Sequence, residues 1–170
     1  MKRKLVIIGH AGHGKTTVSK VMAKLYNYRL KDPTDFIAEH IMVKNGYYRN
    51  FYDALYYKDS EREKWFKAVE TYNLSDNTRL VSNIFEHSDI YAGIRKYEEL
   101  EDVKKKFNPI VIWVENKNVK PEPETSCTVK IEQADFVINN PGTLNELYKD
   151  VVSLYTQMVY TRNTTPDWII

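Results

Sequence analysis

Residues 4–17 read Lys4-Leu5-Val6-Ile7-Ile8-Gly9-His10-Ala11-Gly12-His13-Gly14-Lys15-Thr16-Thr17, an apolar run followed by a glycine-rich turn. The turn matches the pattern G-x-x-x-x-G-K-[ST], with Gly9 and Gly14 as its glycines and Lys15-Thr16 at its end. A short apolar run precedes the turn and apolar residues at helical spacing follow it, which is the context that a phosphate-binding loop (P-loop) requires. The alternative is a β–α turn that binds nothing, and the Lys-Thr pair argues against it.

The spacing of this motif has a chemical reason. Glycines let successive backbone N–H groups point at one phosphate, and the helix that follows adds the positive end of its dipole. Lys15 can then reach the β- and γ-phosphates of ATP, and the Thr16 hydroxyl can bind Mg²⁺. ATP and Mg²⁺ are therefore the expected cofactors. The predicted nucleotide-binding residues of the loop are Gly9, Ala11, Gly12, His13, Gly14, Lys15, Thr16 and Thr17.

The composition is that of a globular domain. The chain has 170 residues, 42% hydrophobic and 28% charged, with a net charge of +2. We expect one domain with a sizeable core, and nothing in the charge favours nucleic acid as a partner. A single cysteine, Cys127, excludes an intramolecular disulfide framework and favours a reducing compartment. No apolar stretch reaches the length of about 18 residues that a membrane span needs, so we expect a cytoplasmic protein with no membrane partner.

Strand and helix patterns alternate along the chain. This alternation predicts an α/β fold with a mostly parallel sheet, helices on both faces in three layers, and ligands at the carboxyl ends of the strands. We expect an acceptor-binding helical region over residues 34–88 and a lid-like loop over 115–130. The predicted strands are 4–8, 28–30, 89–93, 110–114 and 135–140, and the predicted helices are 15–27, 34–45, 59–72, 75–87, 96–106 and 143–161.

The rest of the chain narrows the class of P-loop protein. It contains no Asp-x-x-Gly switch sequence, no Asn-Lys-x-Asp guanine motif and no apolar strand ending in Asp-Glu. A small kinase needs instead a cationic acceptor site and a loop that closes over the phosphates, because phosphoryl transfer depends mostly on positioning and charge stabilisation. The candidates for the acceptor site are Arg49, Arg62, Arg79 and Arg95, with Asp32 and Asp35 for the acceptor sugar or Mg²⁺-bound water, and the candidate catalytic cations of the loop are Lys117 and Lys120.

Several segments in a fixed order resemble a known family. They are the P-loop, Tyr72-Asn73 followed by Asp76, residues 89–95 (DIYAGIR), Glu98-Glu99-Leu100, Ile112-Trp113-Val114 and residues 134–147 (ADFVINNPGTLNEL). Together they resemble the deoxynucleoside monophosphate kinases of tailed bacteriophages over nearly the whole chain.

The resemblance implies a P-loop kinase of the nucleoside monophosphate type. Such an enzyme transfers the γ-phosphate of ATP to a deoxynucleoside monophosphate (dNMP) and so supplies dNDP for phage DNA synthesis. It implies that Arg95 holds the acceptor phosphate and that Asn139, Asn140 and Gly142 lie near the donor adenine. The lid departs from the family, since residues 115–130 contain no arginine and offer Lys117, Lys120 and Lys130 instead.

Alternatives remain open at this point. Arg95 can form an ion pair with Glu98 or Glu99 and have only a structural role. The acceptor can be another small molecule, such as dephospho-coenzyme A, or the chain can be a regulatory module that binds ATP without turnover. Helix 96–106 and the tail 164–170 suggest a homodimer interface.

Overall fold

The computed structural model describes residues 2–140 and 142–164, the last four of them as backbone. Four parallel strands form one sheet in the order β2-β1-β3-β4. Leu5 pairs with Ile90 on one side of β1 and with Ile110 on the other. The strands are β1 (Leu5–Ile8), β2 (Ile90–Ala92), β3 (Ile110–Glu115) and β4 (Phe136–Asn139).

Helices cover both faces of the sheet, and the central strands β1 and β3 bury apolar side chains on both sides, while Val137 of the edge strand β4 is 45% exposed. One core packs Leu5 and Ile7 against α1 and α7, and the other packs Val6 and Ile8 against α2 to α6. The predicted α/β fold with a parallel sheet is thereby confirmed. The helices are α1 (Lys15–Tyr26), α2 (Pro33–Ile37, continuing as a π-helix over Ala38–Val43), α3 (Phe51–Tyr57), α4 (Arg62–Asn73), α5 (Arg79–His87), α6 (Tyr97–Phe107) and α7 (Leu144–Thr164), with a 3₁₀ turn at Ile131–Gln133.

The predicted strand 28–30 is wrong. Residues 28–30 lie beside the edge strand β2 but make no ladder with it. Their hydrogen bonds join them to the two residues before β2: Asp89 N–H donates to the Arg29 carbonyl, at 2.7 Å, Arg29 N–H donates to the Asp89 carboxylate, at 2.9 Å, and Lys31 N–H donates to Ser88 Oγ, at 3.2 Å. One backbone bond and two bonds to side chains thus take the place of the ladder that the apolar pattern suggested.

Helix α3 was not predicted. Asn50 caps it by accepting from Asp53 N–H at 2.9 Å. Of the residues in α3, only Ala54 is buried, while Tyr52 and Tyr56 are exposed. An aromatic segment with so little apolar periodicity gives no helical signal in the sequence.

In the described part of the chain, every helix is too short or too polar to cross a membrane. The tail proposed for an interface lies outside the described residues from position 165 onward.

Candidate active site

The P-loop lies between β1 and α1 and packs against two other segments of the sheet, β3 and the end of β4. Gly9 has φ +135°, and a Cβ there would be 2.5 Å from the carbonyl oxygen of Val114 on β3. Gly14 has φ +97°, and a Cβ there would be 2.3 Å from Nδ2 of Asn140. Both positions require glycine for conformation and for space. The motif spacing therefore reflects how closely the loop packs against β3 and the end of β4.

Lys15 extends back over the hollow of the loop. Its Nζ donates to the carbonyl oxygens of Gly9, at 2.8 Å, and His10, at 2.7 Å. Burial, followed by the nearby charge of Arg95, lowers the pKa of Lys15 to about 8. A partly desolvated ammonium group held in this position has a strong electrostatic preference for an anion.

A carboxylate is bound in this hollow. Ala11 N–H donates to Glu122 Oε2 at 2.6 Å, and the Arg95 guanidinium forms an ion pair with Oε1 of the same side chain. Burial acts to raise the pKa of Glu122, but the Ala11 hydrogen bond and the charges of Arg95 and Lys15 outweigh it and lower that pKa. One anion-binding site is thus formed by the P-loop, by Arg95 in the segment after β2 and by the loop after β3.

Two histidines hold the loop after β3 against the P-loop. His13 is 1% exposed. Its Nδ1 accepts from Asn116 N–H at 3.1 Å, so its Nε2 is assigned as the donor to the Val119 carbonyl at 3.2 Å. His10 Nδ1 accepts from Glu122 N–H at 3.3 Å. The side chains of these motif positions therefore position a second loop, a role that no sequence signal indicated.

His10, Glu122 and Cys127 place their ligand atoms within 4.8 Å of one another, a grouping that can resemble a metal site. The carboxylate is already bound by Ala11 and Arg95, and the Lys15 charge acts on it as well. A metal cation there would meet two positive charges, so the cluster is better described as part of the anion site.

A large cavity opens beside the anion site. It has a volume of about 1380 Å³ and lies among α1, α2, α4 and the segment from β2 to the first turn of α6. A single small-ligand pocket usually measures about 300–1,000 Å³, so this cavity has room for two substrates. Its walls include Thr16, Asp32, Arg62, Trp65, Arg95 and Glu99.

Four of the predicted site residues meet at this cavity: Thr16, Asp32, Arg62 and Arg95. Arg62 lies close enough to the P-loop for its charge to depress the pKa of Lys15. The Asp32 side chain accepts from Thr34 N–H at 2.8 Å and so also caps α2. Arg95 pairs with Glu122, not with Glu98 or Glu99 as the structural alternative expected.

The other arginine candidates do not line the cavity. Arg49 is 89% exposed and lies 3.9 Å from Asp53 of its own helix region. Arg79 lies over the Tyr72 ring, 4.3 Å from its centroid. Asp35 is exposed in α2. Short-range partners on the surface hold these arginines away from the site, and the structure gives no support to the predicted substrate contacts of the three residues.

Lys117 and Lys120 are also exposed and do not line the cavity. The contacts of His13 and His10 fix the loop so that Glu122 faces the P-loop. The loop therefore brings an anion to the site where the sequence had predicted cations.

Thr17 is exposed in the first turn of α1.

The turn after β4 abuts the P-loop. Asn140 N–H donates to the Glu115 carbonyl at 2.7 Å, and its Nδ2 donates to the His13 carbonyl at 3.0 Å. Gly142 N–H donates to Asn140 Oδ1 at 3.3 Å, while Asn139 is exposed at the end of β4. Asn140 therefore has a structural role in the loop, and the predicted contact of these residues with adenine stays a prediction.

No protein-family model matches the chain, and no curated protein sequence matches it. Among solved structures, a shikimate kinase from Bacteroides thetaiotaomicron aligns with 92% of this chain and 98% of its own, at 11% identity and a TM-score of 0.54. A sugar kinase from Janibacter sp. HTCC2649 aligns with 92% of this chain and 95% of its own, at 11% identity and a TM-score of 0.49. With the parallel sheet and the P-loop geometry, the first alignment shows that the chain has an α/β P-loop kinase fold.

Proposed function

We propose that the chain is a deoxynucleoside monophosphate kinase that transfers the γ-phosphate of ATP to a dNMP. The observation that carries the proposal is the convergence of Ala11 N–H, Lys15 and Arg95 on one carboxylate at the mouth of the cavity. A carboxylate and a phosphate oxygen use the same donors, so the groups that bind Glu122 are those that a phosphoryl group needs.

The proposed reaction requires little covalent chemistry from the protein. The bond between the γ-phosphorus and the β–γ bridging oxygen of ATP breaks, and an oxygen of the acceptor phosphate bonds to the same phosphorus. ADP leaves with the bridging oxygen. An acceptor phosphate is already an anion at neutral pH, so no general base is required.

Residues of the P-loop and of the cavity fit the tasks of such a transfer. Lys15 and the P-loop amides bind the donor phosphates, and Thr16 is placed in the first turn of α1 to hold Mg²⁺, which neutralises phosphate charge when bound. Arg95 and Arg62 line the cavity and their charges act on Lys15, and we assign these two guanidinium groups to the acceptor phosphate. A guanidinium can bind a phosphate with two parallel hydrogen bonds.

An acceptor screen tests the proposal. ADP release is measured with ATP, Mg²⁺ and each of the four dNMPs, the four NMPs, dephospho-coenzyme A and shikimate, and the product is identified by chromatography. We expect dNDP from at least one dNMP. Turnover with dephospho-coenzyme A or shikimate alone would replace the proposed acceptor, and ATP binding without turnover of any acceptor would indicate a regulatory module.

A further inference from the structure

Glu99 lies in the first turn of α6 and lines the cavity. Burial raises the pKa of its carboxyl to about 7, although Lys96 acts in the opposite direction. The phenol of Tyr91 lies near this carboxyl, and burial, followed by the charge of Glu99, raises the pKa of Tyr91 well above its ordinary value. A carboxyl in such a place costs stability, so its presence in a cavity wall calls for an explanation.

The carboxyl of Glu99 has no hydrogen bond or ion pair to any residue within the described ranges 2–140 and 142–164. Neighbouring charges are used elsewhere: Lys96 forms an ion pair with Glu70, and Arg95 forms one with Glu122. Glu99 therefore does not neutralise a cation of the fold, and its oxygens are available to a ligand in the cavity.

Glu99 also lies at a suitable place relative to the proposed phosphate contact. Arg95 is four residues earlier, so the two Cα atoms are separated by at most about 14 Å. A single nucleotide can therefore place its phosphate at Arg95 and another part of its structure at Glu99. The cavity wall also contains the carboxylates of Glu70 and Glu98 together with the ammonium groups of Lys20, Lys58 and Lys96, and Lys96 pairs with Glu70. Oxygen acceptors favour a ligand edge with N–H donors and repel an edge of carbonyl oxygens.

We propose that Glu99 selects the acceptor base by accepting a hydrogen bond from its exocyclic amino group, so that the enzyme prefers amino-bearing over oxo-bearing nucleobases. This inference rests on the proposed dNMP kinase function.

Two matched pairs of acceptors test the proposal. dCMP and dUMP are both pyrimidine nucleotides and differ in having an amino or an oxo group at C4, and dAMP and dIMP differ in the same way at C6. The kcat/KM ratio of the amino to the oxo member is measured by ADP release at pH 8, where the Glu99 carboxyl is ionised and can only accept. For the pair that the enzyme uses, we expect a ratio of at least about 10 in the wild type.

Glu99→Ala should bring that ratio within about threefold of 1 through loss of activity on the amino member. Glu99→Gln keeps the size of the side chain and adds an N–H donor, so it should raise kcat/KM for the oxo member. This variant tests the proposal if Glu99→Ala does not fold. Glu101→Ala is the control, because Glu101 lies on the same helix but does not line the cavity.

The outcomes separate the two proposals. A ratio near 1 in the wild type, or a ratio that Glu99→Ala and Glu99→Gln both leave unchanged, overturns the role of Glu99 and leaves the dNMP kinase function standing. Absence of dNDP from every dNMP with the wild-type protein overturns the function and this inference together.

Discussion

Among single residues, Lys15 is the one on which the proposed chemistry depends most directly. It is the only cation of the P-loop motif, and it lies over the hollow where the carboxylate of Glu122 is bound. We expect Lys15→Ala to lower kcat by at least about 10³-fold, because the charge on the transferring group would lose its nearest cation. ADP release measures the rate, and circular dichroism with thermal unfolding checks the fold. The exposed Lys24→Ala on the same helix is the control, and near-normal turnover of Lys15→Ala would contradict the assignment.

The pKa of Lys15 leads to a separate prediction about binding. Burial lowers this pKa to about 8, so above pH 8 the Lys15 side chain of the nucleotide-free protein is mostly neutral. Nucleotide phosphates favour the charged form and should restore the proton. We therefore expect ATP binding to take up a proton at pH 8.5 to 9 and its affinity to fall by up to about tenfold per pH unit above 8. Calorimetry in buffers of different ionisation heat measures the uptake, which should vanish in Lys15→Met.

Arg95 is expected to act on the acceptor. Its guanidinium already binds an anion at the mouth of the cavity. Arg95→Ala should raise the KM for the acceptor and lower kcat as well, because the contact tightens as charge develops in the transition state. Arg79→Ala is a matched control, since Arg79 packs on Tyr72 outside the cavity. Acceptor kinetics equal to those of the wild type would leave Arg95 with a structural role only.

At the scale of elements, the loop between β3 and β4 places a carboxylate in the anion site. Its Glu122 occupies donors that the ATP phosphates also need, and it repels them by charge. Glu122→Gln removes the charge with little change of shape, so we expect the Kd for ATP to fall by about 3- to 10-fold. Isothermal titration calorimetry measures the change. Glu124→Gln removes an exposed charge from the same loop and should leave the Kd unchanged, and weaker binding by Glu122→Gln would show that the carboxylate assists the nucleotide.

The strands of the sheet could be predicted, because each is a short apolar run, and β1 and β3, which are buried on both faces, have the clearest signature. The P-loop could also be predicted, because backbone geometry requires its glycines and so fixes the sequence motif. The side chain that loop 115–130 presents to the site could not be predicted, because it depends on the contacts of His10 and His13 across more than 100 positions of sequence. Long-range polar contacts of this kind have no periodicity for the sequence to reveal.

On the scale of the whole molecule, the site exists only where distant segments meet. The P-loop follows β1, Arg95 follows β2 and Glu122 follows β3, and parallel pairing brings the carboxyl ends of these strands to one edge. Helices α2 and α4 complete the cavity from one face of the sheet. The positions of the site residues therefore depend on the register of the sheet. Contacts at the other end of the strands, their amino ends, help to hold that register.

Asp89 makes the main polar contacts at the amino ends of the strands. Its carboxylate accepts from Arg29 Nη2 at 2.8 Å, Arg29 N–H at 2.9 Å and Lys4 Nζ at 3.0 Å, and so joins the starts of β1 and β2 to the segment after α1. The hydrogen bonds of Arg29, followed by those of Lys4, hold the pKa of Asp89 well below its ordinary value. Asp89→Asn should therefore lower the free energy of unfolding by about 2 kcal/mol at pH 7, because charge-assisted bonds are lost from a mostly buried group.

The pH dependence of this loss distinguishes it from a packing defect. Because the pKa of Asp89 is lower in the folded than in the unfolded chain, its contribution is complete above the unfolded value of about 4 and falls as the pH drops further. The difference between wild type and Asp89→Asn should be constant from pH 5 to 7 and shrink below pH 4, as measured by urea unfolding. Glu63→Gln, which removes an exposed i,i+4 pair with Lys67, should cause a much smaller loss. A difference that persists undiminished at pH 3 would show that the substitution acts through packing and not through the charge.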